Sequence, residues 1–251
     1  MPVGTFEKVH GDACAVDACF DAVRTRILSG EIAAGAKLPP ERALASALGV
    51  NRLTLRSALA RLSASNLLRV RQGSGYVVRP WRRDGGPDLL AGLVDLAASE
   101  RERRDIARDL LAVRRQIAVA VLERLALGVS ASSHVAVVDA VERFATLAST
   151  DDTTHAALVE ADLDVMGAIA SATGSAVFAL CMNPIGATLR SMPGLSLAMF
   201  AVPTENVLGY RALLAWMSSP SRASIPAIVR LLEERDEATL ARLSSKRRSR
   251  S

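Results

Sequence analysis

Histidine, cysteine and lysine each occur only three times in 251 residues. The cysteines, Cys14, Cys19 and Cys181, are odd in number and form no C-x-x-C pair, so neither a disulfide framework nor a zinc finger is indicated. The histidines, His10, His134 and His155, are far apart in the chain; the latter two fall near expected helix starts and are read as solvent-facing. No apolar run reaches 18 residues, and the start of the chain lacks a basic-then-apolar targeting pattern. A cytoplasmic protein is the expectation. Aromatic residues make up only 4% of the chain, which leaves aliphatic side chains to fill its core.

Half of the chain is apolar, and Ala, Leu, Val and Arg dominate, a composition that favours packed helices. The formal net charge is +5. It is unevenly distributed: residues 1–83 carry 13 Lys and Arg against 6 Asp and Glu, whereas residues 84–251 carry 18 against 20. A cationic first third before a slightly acidic remainder suggests two units with separate tasks, the first suited to a polyanion.

Periodicity places helices at 15–29, from Pro40–Glu41 to Leu48–Gly49, and at 52–65. In the third, Leu55, Ala58, Leu59 and Leu62 form a buried stripe at i, i+3, i+4, i+7. Only Gly49 and Val50 precede Asn51, a preferred N-cap. Leu67–Arg71 and Tyr76–Arg79 read as strands of a hairpin around Gln72-Gly73-Ser74-Gly75. Three helices and a hairpin make a winged helix-turn-helix, expected over 1–80. Residues 81–87, with Asp84-Gly85-Gly86-Pro87, read as a linker. An all-helical bundle of six to eight helices is expected over 88–245, with spans near 88–98, 101–128, 131–148, 154–172, 175–192, 204–218, 221–234 and 236–245. A basic tail occupies 246–251. The fold class is therefore mainly α.

Arg52 and Arg56, four residues apart, project from one face of the third helix, opposite Leu55 and Leu59. They lie in its first turn and a half, the end that enters the major groove in helix-turn-helix proteins, and arginine suits bidentate contact with guanine. Leu53 can meet a thymine methyl, and Thr54 a phosphate or a base. Asn51 can donate to a phosphate beside the backbone N–H groups of the helix start. Arg42 can grip the flanking backbone or reach a base. At the wing, Gly73 removes bulk near the minor groove, while Gln72 and Arg71 supply donors. Each arginine alone is compatible with a merely solvated surface. The short turn, the cap, the paired arginines and the wing together favour DNA binding.

This block resembles the GntR family of bacterial regulators, through Leu38, Pro39, Glu41, Arg42, Leu44, Ala45, Leu48, Gly49, Val50, Arg52, Thr54, Arg56, Ala58 and Leu59, over roughly residues 15–80. Asn51 stands where the family usually has Ser or Thr, and Leu55 where it has Val. The resemblance implies a homodimer on pseudo-palindromic double-stranded operator DNA, with contacts from Arg42, Arg52, Thr54, Arg56 and the wing. The helical remainder is similar to the effector domain (the FCD domain) of the fatty-acid-responsive regulator (FadR) subfamily, most clearly over Asp162–Phe178 and Leu110–Ile117.

Most members of that subfamily hold a divalent metal with an Asp and three His. Here the aligned positions are Asp162, Met166, Tyr210 and approximately Arg230, so no metal and no other cofactor is expected. Arg230 can take over the cation's role, and Arg114, Met166, Tyr210 and Arg230 are the expected effector-binding residues. The effector implied is an acyl-CoA or another organic acid. The alternative is a regulator whose helical domain only dimerises, with Met166 and Tyr210 filling a core. An enzyme is not expected: no nucleophile–base pair or metal set is found, and Gly73-Ser74-Gly75 lacks the Gly-Lys-Ser/Thr of a phosphate loop. Whether such a regulator is a repressor or an activator depends on operator position.

Overall fold

The computed structural model describes residues 15–71 and 75–245. Residues 1–14, the basic tail, and Gln72, Gly73 and Ser74 of the expected wing lie outside the described residues. The protein is mainly helical and divides into two compact units, with the boundary between Ala97 and Ala98.

The first unit contains α1 (Ala15–Leu28), α2 (Glu41–Leu48) and α3 (Arg52–Ala64). An antiparallel hairpin follows, β1 (Leu68–Arg71) and β2 (Gly75–Val78), with Leu68 opposite Val78 and Arg71 opposite Gly75. The expected stripe of α3 is inside: Leu55, Ala58, Leu59 and Leu62 are all buried. They pack with Val23 and Ile27 of α1, Leu44 and Leu48 of α2, and Leu68 of β1. Removing these aliphatic groups from water is the main force holding the three helices together.

The segment before α2, expected as a rigid extended connection, has a second task. The Gly35 N–H donates to the Val78 carbonyl, the Val78 N–H to Ala36, and the Leu38 N–H to Tyr76, with Lys37 opposite Val77. The hairpin thus gains a short third rung on its β2 edge.

Residues 81–96 differ from expectation. The Asp-Gly-Gly-Pro composition reads as linker, yet Trp81–Asp84 forms a short helix, α4, and Pro87–Leu89 a 3-10 turn, with Trp81 and Leu89 packed on the first core. α5 (Leu90–Leu96), expected as the first helix of the bundle, packs instead on α1 within the first unit. Gly92 permits this approach, because a Cβ there would lie 2.9 Å from Leu28 Cδ1 and 3.0 Å from Arg24 Nε. Arg24 also reaches Asp95 of α5 at 3.2 Å.

The second unit has seven α-helices among the described residues: α6 (Glu100–Leu125), α7 (Ala131–Ala148), α8 (His155–Ala172), α9 (Ala176–Ser191), α10 (Pro193–Met199), α11 (Pro203–Ser218) and α12 (Ile225–Ser245). α7 packs on α8 and α11, α6 on α12 and α9, and α10 on α9 and α12. Phe144 of α7 is fully buried, with its ring 6.0 Å from that of Phe200 and 5.5 Å from that of Tyr210. Two boundaries depart from the sequence reading. The break at Pro193-Gly194 opens α10, since proline is tolerated in the first turn of a helix. The two helices expected at 221–234 and 236–245 are one, because no Gly or Pro interrupts the chain there.

Leu55→Ala should lower the unfolding free energy by about 2–5 kcal/mol, through lost burial and the cavity left behind. Denaturant unfolding measures it. A loss below about 1 kcal/mol would mean that the stripe does not hold α3 in place.

Candidate functional site

The start of α3 is fixed by its cap. Asn51 has extended backbone geometry, and its side-chain Oδ1 accepts the Thr54 N–H at 2.8 Å. The cap oxygen is therefore committed inward, and the amide nitrogen is the part of Asn51 that remains to donate outward. With the stripe buried, Arg52, Leu53 and Arg56 are turned to solvent. Leu53 is 77% exposed. Thr54 is half-buried and Arg42 is exposed. Sequence reasoning missed Glu41. From the first turn of α2 its Oε2 accepts the Arg56 Nε–H at 2.7 Å, so Arg56 is aimed by a partner on the preceding helix. Glu41 sits within the quoted motif, but spacing alone did not reveal a pair 15 residues apart. Gln72 and Gly73 lie outside the described residues. Arg71 is exposed at the end of β1.

In the helical unit, Arg114, Met166 and Tyr210 come together, and Arg230 does not. Arg230 is exposed on α12 and lines neither of the cavities that Tyr210 lines. The arginine of α12 that faces inward is Arg235, half-buried on the same side as Ile228, Leu232 and Thr239. The Asp236 carboxylate is buried; it accepts from Arg114 Nη2 at 2.9 Å and from Arg115 Nη1 at 2.6 Å. Tyr210 donates its hydroxyl hydrogen to Asp162. Burial pushes the Asp162 carboxyl above the ordinary aspartate range, against the opposing pull of Tyr210, Arg114 and Arg235. The Tyr210 phenol is also pushed up, chiefly by burial and secondly by the charge of Asp162.

Three cavities meet at Met166. One of about 300 Å³ lies between α8 and α9 and is edged by Glu160, Asp164 and Arg190. A small one of about 70 Å³ is lined by Arg114, Arg115, Tyr210, Arg235 and Asp236. The third, of about 160 Å³, is walled almost wholly by aliphatic groups of α6, α8, α11 and α12. The subfamily's divalent metal does not fit this donor set: Met166 offers a thioether, and Asp162 is engaged by Tyr210. Among the described residues no three His, Cys, Asp or Glu side chains group to hold a metal. His155, expected to face solvent, is half-buried, with Nε2 2.9 Å from the Ser196 hydroxyl and its ring against Phe200. It lies at the start of α8, where Ser196 and Phe200 of the unforeseen α10 region cover it.

Residues 16–78 match the model described as bacterial regulatory proteins, gntR family. Curated relatives match over stretches of similar length. The HTH-type transcriptional regulator Mce2R of Mycobacterium tuberculosis is 49% identical over 75 residues, covering 30% of this chain and 31% of that protein. The mannosyl-D-glycerate transport/metabolism system repressor MngR of Escherichia coli is 42% identical over 62 residues, covering 25% and 26%. The chain thus spans under a third of the length of these relatives. The family and both relatives are transcriptional regulators rather than enzymes. Among solved structures, Lar, which controls expression of the Listeria monocytogenes agr system, covers 93% of this chain and 98% of its own, with a TM-score of 0.60 and 13% identity. At that identity the likeness concerns the fold, which extends it past the GntR segment into the helical unit.

A carboxyl whose folded pKa is raised adds stability at low pH that is lost as pH rises through that pKa. Asp162→Asn stays neutral and keeps an acceptor for Tyr210. Its melting temperature should therefore fall less than that of the unaltered protein between about pH 4 and about pH 7. Calorimetry across that range checks it, and parallel curves would place the carboxyl in the ordinary range.

Proposed function

We propose that the chain is a ligand-responsive GntR-type transcription regulator that binds pseudo-palindromic operator DNA as a homodimer, with α3 in the major groove. The observation that carries this reading is the division of α3 into a buried aliphatic stripe and an outward face of Arg52, Leu53 and Arg56 at its capped start. Arg52 and Arg56 read bases, Leu53 meets a thymine methyl, and Thr54, Asn51 and Arg42 hold phosphates. Gln72 and Gly73 serve the wing. Glu41 orients Arg56 before DNA arrives.

The helical unit is the effector and dimerisation domain of a FadR-subfamily regulator, metal-free, with a cytoplasmic location. No helix is long and apolar enough to cross a membrane among the described residues. The effector is an organic acid or an acyl-CoA. The cavities that meet at Met166 favour this over a unit that only dimerises, because a domain serving dimerisation alone needs no internal space. Dimerisation has an apolar surface available on α9, where Val177 and Leu180 are 65% and 67% exposed. Effector binding then changes operator affinity by its preference between two arrangements of the dimer, about 1–3 kcal/mol in ordinary cases.

With an operator obtained by selection from random DNA, Arg52→Ala should lose about 1–3 kcal/mol of specific affinity and relax preference at one position of each half-site. Fluorescence anisotropy at fixed salt measures it. Unchanged specific affinity for both Arg52→Ala and Arg56→Ala would remove α3 from the role of reading helix. For the effector, a melting-temperature screen over organic acids and acyl-CoAs should give at least one stabilising ligand, by mass action. A flat screen at saturating concentrations would favour the dimerisation-only unit.

A further inference from the structure

Arg114 and Arg115 both direct their guanidinium groups at Asp236. Arg235, the residue before Asp236 on α12, differs. It is half-buried, it lines both the small polar cavity and the apolar one, and no carboxylate among the described residues lies within ion-pair distance of it. The small cavity also holds the carboxyls of Asp162, whose charge Arg235 feels, and of Asp236, which Arg114 and Arg115 match. The apolar cavity holds no carboxylate, so an anion entering there meets a partly withdrawn guanidinium and no competing negative charge.

The apolar cavity beside it specifies the rest of that anion. Its walls are Val121 and Leu122 of α6, Ile169 of α8, Leu213 of α11, and Ile228 and Leu232 of α12. Arg235 is the only charged residue lining it, and Tyr210 its only other polar side chain. The Tyr210 hydroxyl is engaged by Asp162. We propose that this cavity binds an aliphatic monocarboxylate, with the carboxylate on Arg235 and the hydrocarbon tail among these aliphatic walls.

A planar guanidinium matches a carboxylate in bidentate fashion. The nucleotide of a coenzyme A thioester carries several phosphate charges, for which this cavity offers one cation. The proposal rests on the reading of the helical unit as an effector domain, and within that reading it selects the free acid.

Gly209 is the positioning residue. A Cβ at this place on α11 would stand 2.7 Å from Nη1 of Arg235, so any larger residue displaces the guanidinium from its seat between the two cavities. In every other respect alanine suits the interior of a helix better than glycine. That opposition gives a test in which folding and binding move in different directions.

The test is calorimetric titration of the full-length protein, Arg235→Gln and Gly209→Ala with octanoate, 1-octanol and octanoyl-CoA. Octanoate should bind the unaltered protein, and 1-octanol at least tenfold more weakly. Arg235→Gln should lose tenfold or more for octanoate and nothing for the alcohol. Gly209→Ala should weaken octanoate binding while its melting temperature without ligand holds or rises. The proposal is overturned by an octanoate affinity that Arg235→Gln leaves intact, by an alcohol that binds as well as the acid, or by binding of octanoyl-CoA alone. No octanoate binding overturns it too; stabilisation by another organic acid or acyl-CoA in the melting screen would then leave the effector reading standing, and a flat screen would remove both.

Discussion

A carboxylate withdrawn from water needs its negative charge met, and in the helical unit that requirement organises much of what surrounds it. Asp236 is buried on α12, and two consecutive arginines of α6 converge on it. The charge–charge attraction is strong there because little solvent screens it, and losing either arginine would leave a buried charge poorly matched. With Asp236 pinned toward α6, the rotation of α12 is set. Ile228, Leu232 and Thr239 then face inward, and Arg235 is carried to the cavity edge while Arg230 is carried to solvent. The distribution of charge around Met166 thus follows from one ion cluster.

The first unit uses a different economy of forces. Its three helices are joined by aliphatic burial, and polar contacts act only at the points that need direction. Asn51 fixes where α3 begins, and Glu41 fixes how Arg56 leaves it. An exposed ion pair of this kind contributes little to stability. In the proposed role its worth lies in holding a long side chain near one orientation in advance, which reduces the ordering that binding must impose.

The contrast between these units explains what the sequence disclosed. Leu55, Ala58, Leu59 and Leu62 repeat with helical period, and the Gly49–Asn51 turn and its cap chemistry are local, so α1 to α3 and the outward arginines were legible. The spans expected at 131–148 and 154–172 lie close to α7 and α8, whose first turns the structure shows capped by the side chains of Ser130 and Thr154. Tertiary matters were not legible. Trp81 and Leu89 sit in a composition typical of a linker, and only the exposed core of the first unit gives them a place to bury. Arg235-Asp236 looked like a polar break because its partners are more than a hundred residues away, on α6. The spacing Ile228, Leu232, Arg235, Thr239 carried the missing information, since it continues one inward face through the supposed break. Reading Arg230 as the inward cation put it on the wrong side of that helix.

The short rung at Lys37–Val77 has its own consequence. The hydrogen bonds that attach residues 35–38 to β2 run between backbone groups, and apart from the need to avoid proline at the donating positions they place little demand on side chains. The base of the hairpin is thereby moored to the approach to α2 by a fastening that leaves almost no imprint in amino-acid choice. A chain that differed at every one of these positions could still hold the base of β2 in the same place. The placement of β2 beside the approach to α2 is then a property of chain geometry rather than of any residue, and it is free to stay constant while the exposed side chains around it diverge.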